Sequence, residues 1–292
     1  MSSMDRKTRG VLCILSSAFC FALMNMFVRL SGDIPSIEKS FFRNFVAAIA
    51  ALIIVLRNRN SIAIGKEALP MLILRSVTGT VGILCNFYAV DHLILSDATM
   101  LNKMSPFFTL IFSMIFLKEK LPFKTLMIVL GAFIGSLFVI KPTFQNADLV
   151  SSLIGFLGGL GAGAAYTCVR ALGKKGISGP VVVLFFSAFS CLVTLPYLIF
   201  DYHPMTMQQF VILLLAGLAA AGGQFSITAA YKAAPAKDIS VYDYSQVIFT
   251  AIIGWVIFSQ IPDALSFTGY AIIILMAVLM FVEGRKEKTN AA

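Results

Sequence analysis

The sequence predicts an all-α integral membrane protein with ten transmembrane helices, arranged as two inverted five-helix repeats. Of its 292 residues, 59% are hydrophobic and 13% are charged, whereas soluble domains average about 45–50% and about 25%. The mean hydropathy is +0.89. Apolar stretches of about 20 residues, the length that spans a bilayer, follow one another through short connections. We therefore expect nearly the whole chain to lie in lipid.

Ten apolar stretches define the predicted spans. The first follows a basic tail and is longer than the roughly 7–15-residue core of a secretory signal, so we expect it to remain as an uncleaved helix. The other nine are separated by short segments that contain charged residues, Gly or Pro. The predicted spans cover residues 10–30, 39–56, 68–90, 97–117, 123–140, 149–171, 179–200, 208–231, 239–260 and 264–282.

The basic residues predict the orientation. If the N-terminus is cytoplasmic, 17 of the 23 Lys and Arg residues fall in cytoplasmic segments, which is the positive-inside pattern of membrane proteins. This distribution accounts for the net charge of +9, and no nucleic-acid-binding module is visible. We expect both termini to be cytoplasmic in a plasma membrane, with a bacterial inner membrane as the expected setting.

The ten spans divide into two halves of five, which we place at residues 1–145 and 146–292. Because five is odd, the second half enters the membrane from the opposite side. The segment MIFLKEKLPF at 114–123 parallels VIFSQIPDALSF at 256–267. Inverted repeats of this kind give many secondary carriers two facing states of similar energy.

Two runs carry a resemblance to a known family. Residues 75–122 read RSVTGTVGILCNFYAVDHLILSDATMLNKMSPFFTLIFSMIFLKEKLP, and residues 230–263 read AYKAAPAKDISVYDYSQVIFTAIIGWVIFSQIPD. They resemble the EamA-type branch of the drug/metabolite transporter superfamily, and the resemblance covers essentially the entire chain. It implies a central cavity lined by helices 1–4 and 6–9, with helices 5 and 10 at the periphery. The family usually closes helix 4 and helix 9 with an acid; Glu119 fits the first position, whereas Gln260 departs from the second.

Several predicted spans carry polar and charged residues that lipid would penalise. A charge near the centre of a transmembrane helix costs about 2.5–3.5 kcal/mol on insertion scales, so such residues are expected to face other helices or water. Arg75 either lines the cavity or extends its charge to the interface, and Lys103 either extends outward or pairs with an acid across the cavity. The candidate substrate-binding residues are Arg43, Arg75, Asn86, Asn102, Lys103, Gln224, Tyr242, Asp243 and Gln246.

Asp243 is the most informative of these residues. It lies about one turn inside the ninth span, where an unpaired carboxylate is costly. It is a candidate proton acceptor, a counter-ion to Arg75 or Lys103, or a ligand for a substrate amine. A purely structural ion pair is the alternative interpretation.

Metal, nucleotide and cofactor sites are not expected. The five cysteines lie in apolar stretches without CxxC spacing, and the two histidines lie in connections. The glycine-rich run at 155–166 has no P-loop lysine and is typical of close helix packing. His92 beside Asp91 and Asp97 is the best catalytic cluster, but it has no partner nucleophile.

The sequence therefore predicts a secondary active transporter of a small metabolite that works by alternating access. The charges of Arg43, Arg75 and Lys103 against Asp243 favour an organic anion or an amino-acid-like zwitterion. The alternatives are a facilitative carrier, an exporter of amphiphilic drug-like compounds, a channel or assembly partner, and a membrane-embedded transferase. The expected partners are the bilayer and the small solute, with a monomeric or homodimeric protein.

Overall fold

A computed structural model describes residues 6–57, 65–92, 101–119, 122–140, 149–259 and 264–289. All regular elements in these ranges are helices, which confirms the predicted all-α class. The helices are α1 Arg6–Leu30, α2 Ser36–Arg57, α3 Leu69–His92, α4 Ser105–Leu117, α5 Phe123–Ile140, α6 Leu149–Lys174, α7 Gly179–Phe200, α8 Met207–Ala233, α9 Ala236–Ile239, α10 Ser245–Phe258 and α11 Ala264–Thr289.

The membrane-spanning character of the chain follows from these helices. In the described part of the chain, seven helical segments are long and apolar enough to cross a membrane, and three shorter apolar helices accompany them. The short α9, a 3-10 turn at Ser240–Tyr244 and α10 together form one of the seven, Ala236–Phe258, which we call the ninth span. The protein is a multi-pass membrane protein, and the count of ten spans stays a prediction.

Two central spans are less regular than the sequence pattern suggests. The predicted span 97–117 is interrupted at Lys103–Met104, and α4 begins only at Ser105 with Pro106 in its first turn. Proline fits there because the first turn of a helix leaves its N–H groups without partners in any case. The ninth span was predicted as a helix over 239–260, but the 3-10 turn divides it and residue 260 lies outside the described residues.

The helices pair in a pattern that relates the two predicted halves. The main pairs are α1 with α8, α3 with α6, α2 with α7, and α5 with α11. In the predicted repeats α1 corresponds to α6 and α3 corresponds to α8, so exchanging counterparts converts the α1–α8 pair into the α3–α6 pair. The α2–α7 and α5–α11 pairs each join two counterparts and are unchanged by the exchange. This is the pattern that two related halves would produce. The boundary at residues 145 and 146 lies outside the described residues, so the division into repeats stays a prediction.

Glycines allow α3 and α6 to approach closely. A Cβ atom on Gly161 would lie 2.8 Å from the Thr78 carbonyl oxygen, and one on Gly82 would lie 3.0 Å from the Ala162 nitrogen. The predicted role of the glycine-rich run in close helix packing is therefore confirmed. The close approach places the polar face of α3 beside Tyr166 in the middle of the bundle.

Candidate substrate-binding cavity

A cavity of about 300 Å³ lies at the centre of the helical bundle. It extends from Arg29 and Gly32, which are exposed beside the turn between α1 and α2, to the buried Arg75 in the middle of the fold. We call the end of the bundle with this turn the α1–α2 end. The volume is at the lower limit of the roughly 300–1,000 Å³ of typical ligand pockets, so the cavity suits a small metabolite.

The structure places eight of the nine candidate residues on the wall of this cavity. Tyr242 is the exception: its side chain belongs to the hydrophobic core, and its hydroxyl has no hydrogen-bond partner within the described residues. The regular helix assumed for the ninth span is replaced here by the tighter 3-10 turn, which changes the faces that successive side chains occupy. The eight residues on the wall are Arg43, Arg75, Asn86, Asn102, Lys103, Gln224, Asp243 and Gln246.

Lys103 joins the two irregular spans. Its ammonium group donates to the Gln246 side-chain oxygen at 2.7 Å and to the Asp243 backbone oxygen at 3.3 Å. It also pairs with Oδ2 of Asp243 at 3.4 Å, and both side chains are almost fully buried. The second carboxylate oxygen of Asp243 is buried without a hydrogen-bond partner in the described part of the chain. The sequence left Arg75 and Lys103 open as counter-ions of Asp243, and in the structure the counter-ion is Lys103.

Arg43 is held by neutral amides. It donates from Nη1 to Asn44 at 2.9 Å and from Nη2 to the Gln224 side-chain oxygen at 3.4 Å. Asn44 is fixed in turn by the Ser40 carbonyl one helical turn earlier, at 2.9 Å. These contacts hold the guanidinium of α2 against α8 while leaving its charge without an acid among the described residues.

Arg75 lies over an aromatic ring. Its guanidinium carbon is 4.0 Å from the centre of the Phe186 ring, a cation–π distance. Gly79, one turn later on α3, provides the space: a Cβ there would collide with the Arg75 guanidinium and lie 2.8 Å from the Phe186 ring. Arg75 is only 2% exposed and lines the cavity, so it does not extend to the membrane interface.

The cavity wall is strongly basic. Lys103 and Asp243 neutralise each other in part, and the remaining charges on the wall are positive. Coulomb interactions strengthen where water is excluded, so these charges act strongly on a bound solute. Five basic residues and one acidic residue line the cavity: Arg29, Lys39, Arg43, Arg75, Lys103 and Asp243.

Contacts around Glu119 connect helices at the opposite end of the bundle. This end holds the start of α1 and the C-terminal ends of α6 and α8, and we call it the N-terminal end. Glu119 accepts from Arg170 at 3.0 Å and pairs with Lys174 at 2.8 Å. Arg170 also donates to the carbonyls of Tyr231 and Lys232 at 3.4 and 3.3 Å. Together these contacts tie the end of α4 to α6 and α8.

Sequence reasoning missed part of the wall. Phe186 lies in the apolar α7, and an aromatic side chain in an apolar run does not reveal whether it faces lipid or a cavity. Tyr166 is the polar aromatic residue that ends the glycine-rich run, and that position was an available signal. Arg29 and Lys39 were visible as charges near the α1–α2 end of their helices. These four residues all line the cavity.

The catalytic and metal-site alternatives concern clusters of ionisable side chains, which the structure describes in part. Within the described ranges, no group of three His, Cys, Asp or Glu residues could hold a metal ion. His92 stacks on Tyr88 with ring centres 3.9 Å apart and contacts the Tyr88 carbonyl at 2.9 Å. Asp97 and the side chain of Asp91, the other members of the proposed cluster, lie outside the described residues.

Apolar spanning helices around a central charged cavity are typical of a membrane transporter. The sequence profile of the EamA-like transporter family matches residues 8–141. The chain is 31% identical to the pseudopaline exporter CntI of Pseudomonas aeruginosa, over 95% of this chain and 97% of that protein. The chain belongs to the EamA-like transporter family.

More distant relatives agree with this assignment. The solute carrier family 35 member G1 of Homo sapiens is 28% identical and covers 87% of this chain and 73% of its own length. The S-adenosylmethionine uptake transporter of Rickettsia bellii is 24% identical, over 88% of this chain and 87% of that protein. A crystal structure with 12% identity superposes with a TM-score of 0.82 over 95% of this chain and 98% of the other, which supports the fold.

Proposed function

We propose that the protein is a secondary active transporter that moves a small organic anion or an amino-acid-like zwitterion across the plasma membrane by alternating access. The observation that carries this proposal is the central cavity with its five basic residues and one acid. Relatives named as a pseudopaline exporter and as an S-adenosylmethionine uptake transporter support a small polar metabolite as the solute. Because one of them exports and the other takes up, membership of the family leaves the direction of transport open.

The geometry supports an alternating-access mechanism. The basic residues predict that the N-terminal end faces the cytoplasm, so the cavity at the α1–α2 end would open outward. The contacts of Glu119 with Arg170 and Lys174 close the cytoplasmic end in this state. The division into halves at 1–145 and 146–292 would supply the second state, because exchanging the conformations of two inverted halves exchanges the open and closed ends.

The charge and size of the cavity weigh against the exporter of amphiphilic compounds. A cavity of about 300 Å³ is small for a drug-sized molecule, and the six charged side chains on its wall favour a polar solute. A facilitative carrier remains the second candidate. The Lys103–Asp243 pair bears on this choice, because proton coupling through the pair would require one of its two members to exchange a proton during the cycle.

A flux measurement tests the proposed function. A thermal-shift screen of the purified protein against a metabolite library identifies ligands, since a ligand that binds only the folded state raises its apparent stability. We expect an organic anion or an amino acid to stabilise the protein and to enter proteoliposomes by counterflow. Protein-free liposomes serve as the control. Stabilising ligands that never cross the membrane of loaded proteoliposomes would contradict a transport function.

The accessibility of the cavity gives a second prediction. In a variant without the native cysteines, Asn102→Cys should react with a membrane-impermeant maleimide added to whole cells, because Asn102 lines a cavity that opens at the α1–α2 end. Saturating substrate should slow this reaction about tenfold or more.

Two exposed positions calibrate this measurement. Asp33→Cys lies beside the α1–α2 turn and should label from outside, whereas Lys66→Cys lies between α2 and α3 and should label only in inside-out vesicles. The reverse pattern for these two cysteines would show that the predicted orientation is wrong. An Asn102→Cys variant that stays unreactive from both sides would mean that the cavity is not a solute pathway.

A further inference from the structure

The charge of the substrate can be inferred from the two buried arginines, if the protein transports a solute as proposed. Arg43 and Arg75 are 5% and 2% exposed, and both line the cavity. Both positive charges therefore border the same enclosed space, where like charges repel each other. Burying an ion costs several kcal/mol even after the protein relaxes, and a nearby like charge adds to this cost.

Neither arginine has a carboxylate partner among the described residues. Arg43 donates to the neutral amides of Asn44 and Gln224, and Arg75 faces the ring of Phe186. The one acid on the described wall, Asp243, is paired with Lys103. The cavity therefore holds two buried positive charges that the described part of the protein does not balance.

Two buried hydrogen-bond donors at the arginines lack partners within the described residues. The side-chain oxygen of Gln224 accepts from Arg43, which leaves its NH₂ group as a buried donor without a partner in the described residues. Nε of Arg75 is a second donor of this kind. Buried donors without partners are costly, and a ligand that brings oxygen acceptors would satisfy them.

We propose that the substrate is a small dianion with two carboxylates, one bound by Arg43 and the other by Arg75. Guanidinium groups bind carboxylates through two parallel hydrogen bonds, which sets both orientation and charge. The two arginines lie on different helices and have separate neighbours, Gln224 on α8 and Phe186 on α7, so they form two anion sites rather than one. The volume of about 300 Å³ restricts the carbon chain between the carboxylates to a short one.

Matched diacids and monoamides test the proposal on the purified protein. Malonate, succinate, glutarate and adipate are titrated by calorimetry, each beside the compound in which one carboxylate is replaced by a carboxamide. The two members of a pair have nearly the same size and differ by one charge. We expect at least one diacid to bind ten times more tightly than its monoamide.

Variants of the two arginines test whether each arginine binds one carboxylate of the diacid. Arg43→Gln and Arg75→Gln should each weaken binding of the diacid tenfold or more and should make the diacid and its monoamide bind within about threefold of each other. Arg43→Lys keeps the charge and should restore part of the preference. Arg57→Gln, an exposed arginine at the end of α2, should bind like the parent protein. If Arg75→Gln does not fold, the two Arg43 variants still decide the outcome.

Several results would overturn the proposal: no diacid binds more tightly than its monoamide, none binds at all, or glycerol phosphate binds more tightly than every diacid. A neutral or zwitterionic ligand that binds and enters proteoliposomes would contradict the dianion proposal, whereas the proposed transport function would stand. A diacid that binds as expected but never enters proteoliposomes would instead contradict the proposed transport function, whereas the dianion site would stand.

Discussion

Replacing Lys103 by Met should abolish transport and lower the free energy of unfolding by about 3–5 kcal/mol. The reason is that Asp243 would remain buried without its partner: the ammonium group lies 3.4 Å from Oδ2, and the other carboxylate oxygen already lacks a hydrogen bond within the described residues. The loss is measured as a shift in thermal unfolding of the purified protein, together with flux in proteoliposomes.

Two further variants separate stability from transport. Lys103→Met combined with Asp243→Leu removes both charges and should recover much of the lost stability, because apolar residues often replace a buried ion pair at little cost. It should still fail to transport. Lys124→Met is the matched control: Lys124 also forms an ion pair, with Glu283 at 3.1 Å, but its side chain is 76% exposed. An exposed pair contributes only about 0–1 kcal/mol, so both stability and flux should hardly change.

Asp243→Asn tests the same pair from the other side. Asparagine keeps the size of the side chain, and Lys103 retains its hydrogen bond to Gln246. We expect a folded protein with no coupled transport. If Lys103→Met and Asp243→Asn both transport at the parental rate at every pH tested, the pair is structural and has no part in the transport cycle.

Glu119→Gln should shift the protein away from the state seen here. Its carboxylate forms charge-assisted contacts with Arg170 at 3.0 Å and Lys174 at 2.8 Å, and we propose that these contacts hold the N-terminal end of the bundle closed. A hydrogen bond to a charged group contributes about 1.5–3 kcal/mol, and each 1.4 kcal/mol changes an equilibrium constant about tenfold. The state open at the N-terminal end should therefore gain population.

The cysteine at position 102 reports this shift. Labelling of Asn102→Cys from the α1–α2 end should slow severalfold in the Glu119→Gln background, and labelling in inside-out vesicles should accelerate. Glu283→Gln, which removes the partner of the exposed Lys124, provides the control and should leave both rates unchanged. Unchanged rates in the Glu119→Gln protein would mean that these contacts do not hold the cavity closed.

The spans could be predicted from the sequence because lipid imposes a simple rule on composition. Helix bounds of 123–140 and 179–200 were predicted and observed, since apolar runs there are bounded by charged residues, Gly or Pro. The same rule identified polar residues such as Asn86, Asn102 and Gln224, because a membrane span retains such side chains where other helices or water receive them. The structure places them on the cavity wall, and their binding role remains the prediction tested above.

Only the tertiary structure decided which of these residues meet. Lys103 and Asp243 are 140 positions apart in the chain, and a pattern of hydrophobicity carries no information on how distant helices face each other. The choice of Lys103 over Arg75 as the partner of Asp243 was therefore not predictable. The displacement of Tyr242 into the core also depends on a local 3-10 turn that the apolar run conceals. Helix formation in a bilayer depends on composition over about 20 residues, whereas the cavity depends on contacts between helices, such as the close approach of α3 and α6 at Gly82 and Gly161.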